Sequence, residues 1–205
     1  MSVIILTFSF TQRIAELKAI PLIYRGRISK LNTIKTMGLF NWRKKDDKIK
    51  NQQEPINQQQ EIPLDEFTQQ MAGSAMNCVN HFKGRYGDKL DFTVKSLETV
   101  DEILDEASDF YEEMKQEQKD WIINSVGAYI FEVARRNYGG KYYWFDQRNQ
   151  PIFVTGQPKF EISIVVFDKV RGRIENGKED NIPFFFKGYT ERVENAKEGD
   201  RATIV

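Results

Sequence analysis

The carboxylate of Glu132 lies in an apolar stretch, residues 127–145, that reads GAYIFEVARRNYGGKYYWF. Burying an isolated carboxylate costs several kcal/mol unless it is paired or protonated. One interpretation is structural, because Arg136 follows one turn later in the favourable order for a helical ion pair, and Tyr129 or a backbone N–H can also bind the carboxylate. The other interpretation is a functional cleft with a shifted carboxylate pKa, formed by Glu132, Tyr129, Arg136 and Trp144.

A second group of acidic residues follows the outer face of one predicted helix, with almost no lysine between them. The eight residues are Glu98, Asp101, Glu102, Asp105, Glu106, Asp109, Glu112 and Glu113. Like charges three and four positions apart repel one another on a helix. The face is therefore either solvated surface or a contact for a basic protein, which would relieve the repulsion and speed association. The candidate partner-binding residues are Asp101, Asp105, Asp109 and Glu112.

Other reactive groups are sparse. Cys78 and His81 are three positions apart on a predicted helix, which is the minimum for thiolate chemistry, although a buried cysteine is more often inert packing. The chain has one cysteine and one histidine, and no Glu-x-x-His pair, so we predict no metal site. It also contains no G-x-G-x-x-G, G-x-x-x-x-G-K-[ST] or G-x-S-x-G motif, so we predict no cofactor and expect a non-enzymatic protein over an enzyme.

Three segments with apolar residues at every third or fourth position predict three N-terminal helices. The first runs from Pro63 towards Gly84, the second over about residues 93–115, and the third over about residues 119–137. Each segment ends near glycine or a change of period, which favours helix termination there. These helices have to position both groups of acidic side chains.

The hydrophobic period changes from helical to alternating after the third helix. The runs KYYWFD and PIFVTG predict an antiparallel hairpin, and the residues after Phe160 predict a strand that turns into a helix. A last helix is predicted from the proline at position 183. The predicted fold class is α+β, with three N-terminal helices, a small antiparallel sheet, and then one or two C-terminal helices.

The charge balance differs along the chain. The 205 residues hold 30 Lys and Arg against 30 Asp and Glu. Residues 1–50 hold 11 basic and 3 acidic residues, whereas residues 51–205 hold 19 basic and 27 acidic residues, a net charge of −8. Nucleic acid is therefore not predicted as a partner, because phosphate binding needs a clustered basic surface. A single cysteine and the lack of a signal or membrane-spanning segment predict a cytoplasmic location without an integral membrane segment.

The predicted domain organisation has four parts. Residues 1–36 are predicted either not to belong to the native product, which would begin at Met37, or to be unstructured, with a helix over about residues 11–20 as the alternative. Residues 37–62 are predicted to form a basic and then polar disordered arm. Residues 63–198 form a single globular α+β domain in this interpretation, and residues 199–205 form a tail.

Three blocks of sequence resemble a group of small bacterial cytoplasmic proteins known as a domain of unknown function. The blocks are LDFTVKSLETVDEILDE, VGAYIFEVARRNYGGKYYW and FDKVRGRIENGKEDNIPFFF. The group has an acidic helix, then a GAY-x-x-EV helix and a GG-x-x-x-W strand, and this chain departs from it at Phe131, where glycine is more usual. No activity is established for the group, so the resemblance implies no catalytic residue. It implies signature positions at Gly127, Tyr129, Glu132, Gly139, Gly140 and Trp144.

Two hypotheses of function follow from these patterns. The first is a non-enzymatic bacterial cytoplasmic protein, of an interaction or immunity type, that offers its acidic helix face to a basic protein partner. The second is a small-molecule binder or enzyme in which Glu132 lies in a cleft beside the hairpin. The sequence leaves the partner, the ligand and the oligomeric state open.

Overall fold

The computed structural model describes residues 65–205, which contain five α-helices and a four-stranded sheet. The predicted α+β class is confirmed. The predictions for residues 1–36 and 37–62 lie outside the described residues. From Asp65 onwards, three α-helices precede the sheet and two follow its third strand.

Helix α1 spans Glu66–Tyr86. Its N-terminus is capped by Asp65, whose side chain accepts a hydrogen bond of 2.8 Å from the backbone N–H of Thr68. The helix passes the predicted end at Gly84 and stops before Gly87, which has a φ of +61°. Its inward face, which packs against the third helix, consists of Met71, Ala75, Cys78 and Phe82.

Helix α2 spans Leu97–Ser108 and is shorter than the predicted segment 93–115. A 3₁₀ turn, Val94–Ser96, precedes it, and a second one, Tyr111–Glu113, follows it. Its last turn holds several carboxylates and no basic residue, and negative charge is unfavourable at the C-terminus of a helix dipole. These charges weaken the C-terminal end of α2, and the helix ends at Ser108 although the apolar period continues.

Helix α3 spans Gln116–Tyr138 and is the central element of the described part. Nearly all side chains from Trp121 to Ala134 are buried, because α1, β2 and the next helix cover it from different sides. At Gly127 the helix lies so close to Phe167 that a β-carbon would overlap its ring. The third predicted helix is therefore buried on nearly all sides. Its polar side chains need hydrogen-bond partners within the protein.

The sheet consists of β1 (Lys141–Phe145), β2 (Gln150–Thr155), β3 (Glu161–Ile164) and β4 (Arg201–Ile204), in that order across the sheet. The predicted hairpin is present as an antiparallel β1–β2 pair, and β2–β3 is also antiparallel.

Two details of the sheet differ from the prediction. Strand β4 pairs with β3 in parallel, so the sheet is mixed, and the predicted tail at residues 199–205 contributes a strand. Four residues with two exposed side chains carry too weak a pattern to signal a strand. The partner strand also lies about 40 residues earlier, beyond any local pattern.

Two C-terminal helices complete the described part: α4 (Phe167–Asn176) and α5 (Ile182–Glu194). The side chain of Asn181 caps α5 by accepting a hydrogen bond of 2.9 Å from the backbone N–H of Phe184. Both helices pack against α2, and α5 also covers β3 and β4. Within residues 65–205 there is no helix that combines the length and the apolar character needed to cross a bilayer.

Substitution Gly127→Ala tests the close packing of α3. Because the added methyl group would overlap the ring of Phe167, we expect a loss of about 1–3 kcal/mol in the free energy of unfolding. The matched control is Gly73→Ala on α1, where a β-carbon meets no atom within 4 Å and alanine should stabilise the helix by about 0.5–1 kcal/mol. The free energy of unfolding of both variants is measured in urea. Equal changes in the two variants would contradict the packing argument.

Candidate functional site

The side chain of Glu132 is completely buried on the last third of α3 and accepts four hydrogen bonds. Arg135 donates two of them, from Nε to Oε1 at 2.7 Å and from Nη2 to Oε2 at 2.9 Å. Arg136 donates from Nε to Oε2 at 3.3 Å, and the hydroxyl of Tyr142 on β1 donates to Oε1 at 3.0 Å. We call these four residues the Glu132 cluster.

The predicted contact between Glu132 and Arg136 is present, but Arg136 is not the main partner. Arg136 was expected from the i,i+4 spacing, but Arg135 at i,i+3 makes the two-pronged contact, and Arg136 adds one longer bond. Both spacings place side chains on the same helix face, so the pair of arginines left the choice open. The sequence also gave no sign of Tyr142, which reaches the cluster from a different element.

All hydrogen-bond acceptor positions of the Glu132 carboxylate are occupied. A carboxylate has about four lone-pair positions, and all of them are used at Glu132. The hydrogen bond to Glu132 raises the pKa of Arg135, while burial, followed by the charge of Glu132, raises the pKa of the Tyr142 phenol. Tyr142 therefore stays a donor, and both oxygens of Glu132 are already engaged inside the protein.

Tyr129 belongs to a neighbouring network. Its hydroxyl accepts a hydrogen bond of 2.9 Å from the backbone N–H of Phe92 and lies 2.6 Å from Oγ of Ser96, and its ring stacks on Phe92 with centroids 4.7 Å apart. Burial raises the pKa of Tyr129 to about 12. Asn137 also donates to the backbone oxygen of Phe92, at 2.9 Å. Tyr129 thus anchors the chain before α2.

The four residues of the predicted cleft are only partly brought together. Glu132 and Arg136 are in contact, and the guanidinium of Arg136 also lies over the Phe92 ring that Tyr129 stacks on, 3.5 Å from its centroid. Trp144 lies on β1 opposite Pro151 and is partly exposed. Within residues 65–205, Trp144 makes no hydrogen bond or ring contact with the other three.

Two of the predicted partner-binding carboxylates are bonded to an arginine of α4. Asp101 accepts from Nε and Nη2 of Arg173 at 2.9 and 3.0 Å, and from the backbone N–H of Ile182 at 2.9 Å. Asp105 accepts from Nη2 of the same guanidinium at 2.8 Å. Arg173 on α4 is only 1% exposed, so Asp101 neutralises a buried cation.

The acidic residues are therefore partly neutralised by arginines of other helices: Asp101 and Asp105 by Arg173, and Glu106 by Arg85. Arg173 lies 72 residues after Asp101, so counting charges along α2 could not reveal it. Asp109 is exposed, and Glu112 is exposed with Lys119 at 4.0 Å. The exposed carboxylates of α2 and of the residue that caps its C-terminus form one row, which we call the acidic stripe: Glu98, Glu102, Asp105 and Asp109.

The remaining candidates do not form a reactive group. Cys78 is completely buried, and burial raises the pKa of its thiol, which disfavours a thiolate. The ring of His81 packs on Trp121 with centroids 4.6 Å apart. In the part of the chain that the structure describes, no three His, Cys, Asp or Glu side chains are grouped as metal ligands would be.

Substitution Asp101→Ala tests the buried ion pair with Arg173. We expect a loss of about 3–5 kcal/mol in the free energy of unfolding, because the guanidinium would stay buried without its main partner. Asp109→Ala is the control and should change stability by no more than about 0.5 kcal/mol, since Asp109 is exposed. Replacing Arg173 by Met in the Asp101→Ala chain should recover part of the loss. Equal stability of the two single variants in urea unfolding would exclude this role.

Substitutions at Glu132 test whether the cluster is structural. Glu132→Ala should destabilise by about 1–3 kcal/mol, because Tyr142 loses its partner while both arginines can still be solvated by water. Glu132→Gln should cost less than Glu132→Ala, since the amide keeps the volume and one acceptor oxygen. Thermal unfolding ranks the wild-type chain and the two variants by stability. A Glu132→Ala variant as stable as wild type would contradict the structural role.

The comparisons with known proteins do not identify the chain. No family model, no curated protein and no solved structure matches it. The resemblance to the group of small bacterial proteins therefore stays a prediction. Function has to be inferred from the geometry of residues 65–205, where the two charged features are the Glu132 cluster and the acidic stripe.

Proposed function

We propose that this protein is a non-enzymatic interaction protein whose acidic stripe binds a basic surface of another protein. The observation that supports this proposal is the exposure of the stripe carboxylates, most of which have no ion pair in the described part. Its four carboxylates, Glu98, Glu102, Asp105 and Asp109, are exposed on one face of α2 and the turn after it. Among residues 65–205, only Asp105 of the four has an ion pair, with Arg173.

The stripe carries charge that the described part compensates only at Asp105, through Arg173. Its members are three or four positions apart, a spacing at which like charges repel. Residues 65–205 as a whole hold 19 basic and 25 acidic residues, so the surrounding surface is also negative. A basic partner would relieve this repulsion, and its approach would be accelerated by electrostatic steering.

The stripe is also held in a fixed orientation. Asp101 on the inner side of α2 binds Arg173 of α4 and the first backbone N–H of α5, so three helices meet at one carboxylate. A rigid binding face loses less conformational entropy on association than a mobile one. The internal use of Asp101 therefore supports the interaction role of its exposed neighbours.

The proposal includes a cytoplasmic location and membership of the group of small bacterial proteins that the sequence resembles. The single cysteine is a buried free thiol, as is usual in a reducing compartment. Nucleic acid is not proposed as a partner, because of the negative surface. The alternative function, an enzyme with Glu132 as its reacting group, is less well supported because both oxygens of that carboxylate are already occupied.

The stripe can be neutralised without touching the Arg173 ion pair. The test variant combines Glu98→Gln, Glu102→Gln and Asp109→Asn. We expect it to fold with wild-type stability and to lose a protein partner that the wild-type chain retains from a lysate of its own cells. The retained partner, once purified, should associate with the wild-type chain more slowly as salt rises from low to physiological concentration.

The matched control removes the same number of charges from other exposed positions, by Glu179→Gln, Glu194→Gln and Glu198→Gln. It should retain the partner. If wild type, stripe variant and control capture identical sets of proteins, the stripe is ordinary solvated surface and the proposal fails.

A further inference from the structure

Arg135 and Arg136 offer more donors than Glu132 uses. Each guanidinium has five N–H groups. Arg135 uses Nε and Nη2 for Glu132, and Arg136 uses only Nε. Nη1 of Arg135 and both Nη atoms of Arg136 make no hydrogen bond to any residue from 65 to 205, and they are not among its buried polar atoms without a partner. Nη1 of Arg135 therefore reaches solvent, and the Arg136 side chain as a whole is exposed.

The cluster also has an excess of positive charge. Two guanidinium groups face a single carboxylate, and no other acidic side chain of the described residues lies within 4.0 Å of either one. The C-terminus of α3, where both arginines lie, supplies roughly half of a negative charge, which offsets only part of the surplus. The arginine side chains are 26% and 39% exposed, so a ligand can reach them.

The free donors are held in fixed directions. The two-pronged bond to the fully buried Glu132 fixes the plane of the Arg135 guanidinium. Arg136 is fixed by its bond to the same carboxylate and by the Phe92 ring beneath it, 3.5 Å away. Arginines positioned in this way by a buried carboxylate need little rearrangement to bind a second anion.

We propose that Arg135 and Arg136 form a binding site for an oxyanion group, either phosphate or carboxylate, with Glu132 as the residue that positions them. Both groups have several acceptor oxygens, which guanidinium forks bind with short charge-assisted hydrogen bonds. Tyr142 helps to hold Glu132, and the Phe92 ring supports the guanidinium of Arg136. The site is on the C-terminal end of α3 and does not depend on the acidic stripe or on its partner.

The test uses the full 205-residue chain, labelled with ¹⁵N, and follows the Nε–Hε NMR resonances of the arginines. Inorganic phosphate and sodium acetate are titrated separately at constant ionic strength, with sodium chloride as the reference salt. We expect saturable shifts of the Arg135 and Arg136 resonances with at least one of the two oxyanions and none with chloride. Tighter binding of phosphate or of acetate identifies which group the site prefers.

Variant Arg136→Gln should weaken the binding roughly tenfold or more, because it removes a charged fork while Arg135 and Tyr142 still hold Glu132. Arg135 remains as the reporter. Arg192→Gln is the matched control, since Arg192 is exposed on α5 and has no ion pair within residues 65–205; it should bind as wild type does. If Arg136→Gln does not fold, Arg136→Lys, which keeps the charge but not the fork, should also weaken binding. Shifts in the wild-type chain that are linear, equal with chloride, or unchanged in the Arg136 variant would overturn the proposal.

Discussion

Helix α3 is apolar round most of its circumference, and the rest of the described part is arranged to cover it. Helix α1, strand β2 and helix α4 each pack on a different side, and Gly127 lets Phe167 approach the helix backbone directly. This arrangement leaves Glu132 without water. Its charge can then persist only if partners inside the protein satisfy it, and the arginines of the next turn and Tyr142 do so. A single buried carboxylate on an apolar helix thus requires cations close to it, and this requirement is met by two arginines at the end of α3.

The same principle operates with the signs reversed at Arg173. There the buried group is a cation on α4, and the satisfying carboxylates come from α2. Because Asp101 also accepts the backbone N–H of Ile182, it supplies negative charge to the N-terminus of α5, where the helix dipole favours it. Residues that look like one acidic row in the sequence therefore divide by depth. Asp101 joins three helices, Asp105 is exposed and still bonded to Arg173, and the remaining stripe residues are exposed without an ion pair in the described part.

What the sequence could predict was local. The first and third helices and the β1–β2 hairpin follow from apolar periods and glycine stops within short windows. The contacts that it could not predict join distant segments: Arg173 with Asp101, Tyr142 with Glu132, and β4 with β3. At Glu132 the sequence showed that a partner was needed but offered two adjacent arginines on the same face. In the structure Arg135 makes the closer contact, and Arg136 packs over Phe92. For the candidate site, the sequence could therefore predict that a buried carboxylate needs a cation. It could not predict which residues are bonded to one another.

Phe92 connects the two charged features of the molecule. Its φ of +63° is unfavourable for a residue with a bulky side chain, at a cost of about 1–3 kcal/mol. Both of its backbone polar groups are bound by side chains of α3, the N–H by Tyr129 and the oxygen by Asn137, and its ring lies between Tyr129 and Arg136. The 3₁₀ turn Val94–Ser96 follows shortly after Phe92, and its Ser96 also contacts the Tyr129 hydroxyl. Helix α2 begins directly after Ser96. The direction in which α2 enters, and with it the placement of the acidic stripe, therefore depends on side chains of α3 that also surround the Glu132 cluster.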